Sequence, residues 1–583
     1  PISNIGATGL TFNGGAGSDS IIIDDSGDTL ADRYELDFGF FRKIDPANVT
    51  TITLSMSSIE AFNLLANNAD NVIDILGIPS GRNVTINGGG GNDLIGNLTN
   101  QDINTNIVGN VTIAGGAGTD SLELRDDGDL TGTEFTLTSS TAQVTAGFPS
   151  GLITFNTIAA ISYQGGDNGT TIRVVSNFNP VTILGGAGND TIVVGAGDID
   201  TTIGANVLVD GQAGTDRLVI DDTTDILADT YTITRSRITK NSMTPEILYG
   251  PSGGIVLSTQ PFIEELVLNA NNASNVINIL SVGGTNFITN ATKDMNVTVN
   301  AGDGDDTINV GAGNLSTFLG VVSIVGEAGE DTVVIDDINA TGNDGYTVNA
   351  GVLTKSDWSG ALRYNTNENY RLIAGNDDNL ITMNSSSGAW ILEGNGGADF
   401  FDIVGNLVNT SVTVRGGAGN DTIRVNNDEA GNARGTPDQS DVLRDIQLFQ
   451  GGRLIVPANG STVIDTLSTG FLRGTLDLNN NMMIVRVPSV PFVVDKLNRG
   501  FNNGGWNGLP AGGTLGAIVS STAALSPLGD GIGYALIGAG VGQLNVASVG
   551  GQAGGGGNPG LRYTPAGGTH PRPTGKFDDP PAL

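Results

Sequence analysis

The stretch Gly-Gly-Ala-Gly-Asn-Asp-Thr-Ile-Val, residues 185–193, carries the pattern that decides the fold of this chain. Its glycine–aspartate phrase occurs nine times, and most copies lead into a short run of β-branched residues. The copies end at Asp19, Asp93, Asp120, Asp190, Asp216, Asp306, Asp331, Asp399 and Asp421, which we call the corner aspartates. Self-similarity of this kind is the sequence signature of a stacked repeat architecture.

The corner aspartates follow two nested periods. The short separations are 27 residues (Asp93 to Asp120), 26 (Asp190 to Asp216), 25 (Asp306 to Asp331) and 22 (Asp399 to Asp421). Every second copy recurs after a longer interval, such as the 96 residues between Asp120 and Asp216. The short period has the size of one coil, and the long period is a module of about three coils plus an insertion.

Local residue patterns predict what each coil contains. Runs such as Asn-Val-Thr-Ile at residues 83–86 alternate apolar and polar residues with period 2, which is strand geometry. Glycines between the runs permit positive φ at the corners, and neighbouring Asn and Asp favour tight turns. The sequence therefore predicts an all-β chain, a parallel β-helix or β-solenoid with β-hairpin insertions and a C-terminal capping module. Tandem β-sandwich modules of about 100 residues each are the alternative.

The predicted insertions have their own signature. Paired acids occur ahead of them, at Asp24–Asp25, Asp126–Asp127, Asp221–Asp222 and Asp336–Asp337. An aromatic residue then starts each alternating run, at Tyr34, Phe135, Tyr231 or Tyr346. These runs predict hairpins that leave the solenoid as β-arms and rejoin it. The paired acids are expected to be solvated loop residues.

Composition limits the possible partners. The 583 residues include 61 acidic and 26 basic side chains, which gives a net charge of −35. Such a chain is not expected to bind nucleic acid, whose phosphates need clustered Lys and Arg, and its carboxylates favour divalent cations. It has no cysteine and no apolar run of 18 residues, so neither a disulfide nor a membrane-spanning helix is predicted. We expect an extracellular or cell-surface location, with any signal peptide removed or outside this numbering.

Domain boundaries follow changes in the repeat. Residues 1–440 are expected to form the β-solenoid of about four modules, and residues 441–481 its terminal coils. Residues 482–545 are expected to form a cap or surface module, with a short helix at Phe492–Phe501. The Gly- and Pro-rich tail, residues 546–583, is expected to be ordered by contact, and specifically to touch a neighbouring subunit.

The nonapeptide at Gly185–Val193, and its copy at Gly416–Arg424, resemble the hemolysin-type RTX repeat. That resemblance implies that the glycines bend the backbone so that carbonyls and the aspartate carboxylate surround Ca²⁺. Copies in that family follow one another every nine residues, whereas the copies here are 22–27 residues apart. The calcium site shared between adjacent turns is therefore not carried over intact.

Stacking provides a separate reason to expect calcium at the corner aspartates. In stacked coils, successive aspartates would lie about 4.8 Å apart and repel each other unless an ion or hydrogen bonds compensate. The sequence thus leaves two interpretations of the nine corner aspartates. They either bind Ca²⁺, or they only cap glycine turns by accepting backbone N–H bonds.

A second resemblance lies near the C-terminus. It rests on Leu476–Asn481, Gly504–Gly508, Gly531–Ala535 and Leu561–Thr564. Their order is similar to a module near the C-termini of large bacterial surface proteins rich in β-repeats, which implies a cell-surface protein. An ordinary cap over the last coil is the alternative.

These observations favour a structural protein over an enzyme. The only histidine, His570, lies in the Pro-rich tail, so no Ser-His-Asp or metal–histidine site is expected. We expect a calcium-assisted β-solenoid subunit of a surface filament or surface layer, polymerising with itself through end-to-end or tail-mediated contacts. An adhesin that presents the β-arms near Tyr34, Tyr231 and Tyr346 to a partner such as a cell-surface glycan is the alternative. A polysaccharide-active enzyme is a weaker third hypothesis.

Overall fold

The computed structural model describes residues 7–418, apart from 48, 100–101, 251–262, 286–291 and 404–410, together with isolated strands between 422 and 564. The chain divides into two compact units, residues 1–277 with 282–303 and residues 278–281 with 304–583. Its strands fall into two large sheets, A and B, in which parallel pairing predominates. The predicted all-β solenoid is confirmed. The alternative of tandem β-sandwich modules is wrong, because sandwiches are built from antiparallel strands, whereas parallel pairing predominates here.

The first unit contains most of the described coils. Its strands are β1 (Ala7–Asn13), β2 (Ser20–Asp24), β3 (Arg33–Asp37), β4 (Phe40–Ile44), β5 (Thr50–Ser57), β6 (Ala61–Leu65), β7 (Val72–Gly77), β8 (Asn83–Asn87), β9 (Leu94–Gly96), β10 (Asn110–Ala114), β11 (Ser121–Arg125), β12 (Glu134–Leu137), β13 (Thr141–Ala146), β14 (Ile153–Asn156), β15 (Ala160–Gln164), β16 (Thr171–Val174), β17 (Val181–Ala187), β18 (Thr191–Val194), β19 (Val207–Ala213), β20 (Arg217–Asp221), β21 (Thr230–Ile233), β22 (Arg237–Lys240), β23 (Ile247–Leu248), β24 (Glu265–Asn269), β25 (Val276–Ile279), β26 (Gly284–Thr285), β27 (Thr292–Lys293) and β28 (Asn296–Asn300). The single-turn helices are α1 (Ile103–Asn106) and α2 (Ile199–Thr202).

The second unit continues in the same style. Its strands are β29 (Thr307–Val310), β30 (Val321–Val325), β31 (Thr332–Asp336), β32 (Gly345–Asn349), β33 (Val352–Lys355), β34 (Ala361–Asn365), β35 (Asn369–Ile373), β36 (Leu380–Met383), β37 (Ala389–Gly396), β38 (Phe400–Ile403), β39 (Ser411–Ala418), β40 (Thr422–Val425), β41 (Arg453–Ile455), β42 (Val463–Thr466), β43 (Thr475–Asp477), β44 (Met482–Val485), β45 (Ala517–Val519), β46 (Gly531–Ile537), β47 (Ser548–Val549), β48 (Gln552–Ala553) and β49 (Asn558–Thr564). A 3₁₀ turn at Leu315–Thr317 takes the place of the single-turn helices.

Each coil contributes one strand to each sheet. In the first unit, β6, β8 and β10 pair in parallel within sheet B, while β7, β9 and β11 pair in parallel within sheet A. The second unit repeats this with β35, β37 and β39 in sheet A and β36, β38 and β40 in sheet B. The short period of the corner aspartates is therefore one two-strand coil.

Four three-stranded insertions interrupt the coils. The first (β3–β5) and third (β21–β23) lie in sheet A, and the second (β12–β14) and fourth (β32–β34) lie in sheet B. In the first, β5 pairs in parallel with β1, β4 is antiparallel to both of its neighbours, and β3 pairs in parallel with β7. The hairpins were predicted correctly. The prediction that they leave the solenoid was wrong, because their backbone hydrogen bonds are made within the sheets.

The cores of the coils are built from alternating apolar residues. Strands β11 and β15 each bury every second side chain, and Leu122 pairs in register with Ile161, and Leu124 with Tyr163. All four side chains are at most 4% exposed. Full burial of one aliphatic side chain contributes about 1.5–3 kcal/mol. A ladder of such pairs therefore supplies the stability that disulfides cannot provide in this chain.

Several sequence predictions lie on residues that the structure does not describe. The helix at Phe492–Phe501, His570 and the corner Asp421 are outside the described residues, as is most of the predicted cap and tail. Within the tail, β49 pairs antiparallel with β46 and with β44 of the same chain. The proposed tail contact with a neighbouring subunit stays a prediction.

Candidate functional site: corner aspartates and lysine clusters

The corner aspartates form short hydrogen-bonded ladders between neighbouring coils. In each pair the backbone N–H of one aspartate donates to Oδ1 of the aspartate one coil later. The pairs are Asp93 to Asp120 (2.9 Å), Asp190 to Asp216 (2.9 Å) and Asp306 to Asp331 (3.0 Å). These bonds join the aspartates of adjacent coils, so the N–H that each Oδ1 accepts comes from the neighbouring coil and not from the glycine turn of its own motif.

The ladders do not run continuously along the chain. Asp93 and Asp120 precede strands of sheet A, whereas Asp190 and Asp216 precede strands of sheet B. Between Asp120 and Asp190 the chain passes through an odd number of half-coils, so the corner changes sides with each module. The sequence brings the aspartates together in pairs and not as one row.

Residues other than aspartate continue each ladder. On the earlier coil, the backbone N–H groups of Asn71 and Thr170 donate to Oδ1 of Asp93 (2.8 Å) and Asp190 (2.6 Å). On the later coil the acceptor is the carboxylate of a glutamate. Glu60 accepts the N–H of Asp19 (2.9 Å), Glu264 that of Asp216, and Glu368 that of Asp331 (2.9 Å). The sequence alone did not predict these glutamates, which lie one coil after Asp19, Asp216 and Asp331. After Asp120 the equivalent residue is Ala159.

In several described copies the corner carboxylate lies against the first residue of its own motif. A Cβ on Gly88 would stand 2.4 Å from Oδ2 of Asp93, and a Cβ on Gly115 would stand 2.5 Å from Oδ2 of Asp120. Neither glycine has a positive φ. Glycine at these two positions is therefore required for space, because the aspartate lies where a side chain would be. The copy that ends at Asp306 has Ala301 at the same position, so a methyl group is accommodated there.

The second and fourth motif positions have a positive φ, which glycine adopts most readily. Gly116 has φ +110° and Gly118 has φ +139°, as the sequence predicted for the corner. Where the second position is not glycine, the residue still adopts a left-handed φ, as Gln212 (68°), Glu327 (72°) and Asn395 (68°) do. These values lie in the narrow left-handed region that side chains tolerate.

Burial perturbs the corner carboxylates. Asp93, Asp120, Asp190 and Asp331 are at most 2% exposed, and no described residue donates a hydrogen bond to their Oδ2 atoms. Burial raises the pKa of Asp93 to about 7, and the charge of Asp120 adds to that rise. Burial raises the pKa of Asp190 and of Asp331 to about 6. Any cation at these corners would have to bind Oδ2, because Oδ1 already accepts a backbone N–H.

We expect the folded chain to become more stable as the pH falls from 7.5 to 5. A carboxyl group whose pKa is higher in the folded chain than in the unfolded chain binds its proton more tightly when folded. Protonation therefore stabilises the fold, and this stabilisation is complete below the carboxyl pKa of the unfolded chain, 3.8. It is lost as the pH rises through 6 to 7. The midpoint of urea unfolding, measured at both pH values in chelator, should be higher at pH 5.

The variant Asp93→Asn provides the control for this pH dependence. It removes a titrating group while keeping an Oδ1 acceptor for Asn71. The change in unfolding midpoint between pH 7.5 and 5 should therefore be smaller than in the unmodified chain. An equal change in both proteins would assign the pH effect to surface charge.

The second group of functional residues comprises three buried lysine clusters inside the insertions. The densest surrounds Lys240, which is 1% exposed. Its Nζ lies 2.8 Å from Asp200, 2.7 Å from Asp222, 2.6 Å from Asp225 and 2.9 Å from Asp229. Burial alone would lower the pKa of Lys240, but bonds to the four carboxylates raise it above its ordinary value. The ammonium is thus firmly charged.

The first and fourth insertions repeat this arrangement. Lys43 binds Asp25 (2.6 Å), Asp28 and Asp32 (3.0 Å). Lys355 binds Asp337 (3.2 Å), Asp344 (3.1 Å), Asp357 (2.7 Å) and the hydroxyl of Ser316 (2.9 Å). Each of these clusters connects the loop before an insertion with the middle strand of that insertion.

A buried tyrosine completes each lysine cluster. The hydroxyls of Tyr34, Tyr231 and Tyr346 donate to Asp25, Asp222 and Asp337, and all three tyrosines are 0% exposed. The prediction of solvated paired acids was therefore wrong for one acid of each pair. The rings of these three tyrosines face the core.

A sequence signal for the clusters existed but was not recognised. A tyrosine follows the buried acid by nine residues and a lysine follows it by 18, as in Asp25, Tyr34 and Lys43. Lysine is rare in this chain and occurs only at Lys43, Lys240, Lys293, Lys355, Lys496 and Lys576. Three of these six lysines belong to the clusters. Their constant distance from the buried acid is the sequence pattern that indicates the clusters.

Comparison with known proteins leaves the interpretation to the residues themselves. No protein-family model matches this chain, and no curated protein matches its sequence. None of the helices in the described part of the chain has the length and apolar content needed to cross a bilayer.

Proposed function

We propose that this chain is an extracellular structural protein, a calcium-assisted β-solenoid subunit of a surface filament or surface layer. The observation that carries the proposal is the parallel stacking of two-strand coils, a geometry that a further coil extends by pairing with the outermost strands. Strand β1 pairs with β5 and strand β2 pairs with β6, each on one side only among the described strands. An open edge is a template for strand addition by another chain.

Strands β1 and β2 also carry exposed apolar side chains. Leu10 and Phe12 on β1 are 36% and 41% exposed, and Ile22 on β2 is 61% exposed. Addition of a strand or coil would bury these side chains and satisfy the free backbone groups at the same time. A contact of this kind is heterologous and does not close on itself, so it generates a fibre.

Electron microscopy of the purified chain tests the assembly. In millimolar calcium we expect regular filaments or sheets, which should fray when excess chelator is added. Ile22→Lys should reduce assembly, because a charge on an open edge opposes strand addition. Leu130→Lys is the matched control, since Leu130 is 70% exposed in a loop. Isolated particles in both conditions would overturn the proposal, and such particles that bound glycan would favour the adhesin.

The calcium part of the proposal has a separate test at a corner aspartate. Asp190→Asn keeps Oδ1 as an acceptor for the N–H of Thr170 but removes the charge on Oδ2. If Ca²⁺ binds at this corner, the calcium-dependent rise in unfolding temperature should be smaller in the variant. An unchanged rise would mean that the carboxylate only caps the turn.

A further inference from the structure

The second insertion lacks the lysine that the other three contain. In the hairpin register, Lys43 faces Tyr34, Lys240 faces Tyr231 and Lys355 faces Tyr346. At the same place in the second insertion, Val144 faces Phe135. Val144 is 0% exposed, so no ammonium enters the centre of this insertion from that strand.

Two acids of the cluster nevertheless remain in the second insertion, although Thr133 stands where Asp32 lies in the first. Asp126 and Asp129 occupy the positions that Asp25 and Asp28 hold around Lys43, and they are 0% and 5% exposed. Among the described residues, no lysine or arginine forms an ion pair with either. The nearest arginine in sequence, Arg125, pairs with Asp127 instead. A buried pair of carboxylates without a cation is strongly disfavoured.

An amide oxygen next to these acids also lacks a partner. Asn104 of α1 is 2% exposed, and its Nδ2 donates to Oδ2 of Asp129 at 2.8 Å. Its Oδ1 is buried and accepts no hydrogen bond from any residue that the structure describes. A buried, unsatisfied amide oxygen costs about 1–3 kcal/mol, so its presence beside two acids indicates a missing partner.

The two carboxylate oxygens of Asp126 differ in how well they are hydrogen-bonded. Its Oδ1 accepts the N–H of Ile103 at 3.0 Å. Its Oδ2 lies 3.3 Å from the hydroxyl of Tyr163 and 3.5 Å from Oγ1 of Thr133. These distances exceed the usual 2.7–2.8 Å for O–H donors, so Oδ2 is weakly satisfied where the sister carboxylates bind an ammonium.

We propose that the second insertion binds Ca²⁺ in the position that a lysine ammonium occupies in the other three. The ligands would be Oδ2 of Asp126, the carboxylate of Asp129 and Oδ1 of Asn104. All are hard oxygen donors, which Ca²⁺ prefers, and the two carboxylates match its charge. The sister clusters provide independent support, because the same fold holds a cation there three times.

Calcium at this site would connect two structural elements. Asn104 belongs to α1, whereas Asp126 and Asp129 lie in the loop that leads into the insertion. A bound ion would therefore hold the helical turn of one coil against the insertion of the next, as Lys240 does between Asp200 of α2 and Asp229. This site is separate from the corner aspartates, and its test does not depend on calcium there.

Equilibrium dialysis against Ca²⁺, at pH 7.5 and with the full chain, tests the site by difference. Val144→Lys supplies the sister ammonium and should remove one bound calcium per chain. Val144→Met places a side chain of similar length without charge and should retain that calcium. Asp129→Asn keeps the shape of the cluster and provides a second route to the same loss if the lysine variant does not fold.

The outcomes separate the proposal from its rival. Loss of one calcium in Val144→Lys or in Asp129→Asn, with retention in Val144→Met, supports the site. Equal calcium binding by all folded variants would overturn it. The latter result would mean that the two acids are neutralised by a shared proton, in line with the pKa of Asp126, which burial and the charge of Asp129 raise to about 7.

Discussion

Lys240→Met should lower the free energy of unfolding by about 3–5 kcal/mol, because it leaves a group of buried carboxylates without their cation. Nζ of Lys240 lies within 2.9 Å of four aspartates, three of which have side chains at most 6% exposed. Methionine preserves most of the aliphatic volume of lysine, so the loss of stability measures the effect of removing the ammonium charge. Urea unfolding at pH 7.5 in chelator measures it.

Arg237→Met is the matched control for that experiment. Arg237 lies three residues earlier on the same strand and pairs with Glu246 at 2.8 Å, but both side chains are about one-third or more exposed. Exposed pairs contribute about 0–1 kcal/mol. If the two variants were equally stable, the acids around Lys240 would have to be neutralised by some other means.

The same variant makes a second, opposite prediction when calcium is added. One carboxylate oxygen from each of Asp200, Asp225 and Asp229 lies within 4.8 Å of the other two. Without the ammonium, these oxygens could bind a metal ion. Lys240→Met should therefore gain a calcium-dependent rise in unfolding temperature that Arg237→Met lacks. This outcome would place the lysine clusters and the proposed calcium site of the second insertion in one class of internal cation site.

The lysine clusters show where sequence reasoning reaches its limit. Paired acids and an aromatic strand start are visible in the sequence, and they located the insertions correctly. Charged residues are almost always expected at the surface, however, so Asp25 was expected to be solvated. Its burial depends on Lys43, which lies 18 residues later and meets it only after the hairpin has folded.

One part of the corner motif could be predicted from the sequence, and another part could not. Positive φ at Gly116 and Gly118 follows from turn chemistry, which is local and therefore readable from sequence. The requirement for Gly115 follows from the position of Asp120 and of the next coil, which is not local. A Cβ on Gly115 would meet the backbone oxygen of Thr157 at 2.3 Å. Close stacking of coils thus fixes residues that local propensity leaves free.

The alternation of the insertions between sheets was also beyond the sequence pattern. Repeat spacing gives the number of residues in a module, whereas the sheet that receives an insertion depends on the number of half-coils. An odd number of half-coils separates Asp120 from Asp190, so the second motif pair lies at the opposite corner. A ladder continuous along all nine corner aspartates would have required an even number.

Gly116→Ala should be among the most destabilising single changes in the coils, because a backbone atom occupies the place of the added methyl group. Gly116 has φ +110°, and its Cβ would lie 2.0 Å from the carbonyl oxygen of Gly89 on the preceding coil. Strain in φ alone costs about 1–2 kcal/mol. Displacing the stacked coil should add about 1–3 kcal/mol.

Gly15→Ala separates these two contributions. Gly15 occupies the same motif position with φ +89°, but its Cβ would meet nothing within 4 Å. The loss of stability in this variant should therefore come only from strain in φ. Its free energy of unfolding in urea should be well above that of Gly116→Ala. If both variants lost the same free energy, the glycines would serve the turn alone. A larger loss at Gly116 means that the motif is selected by the contact between coils, which a single coil does not contain.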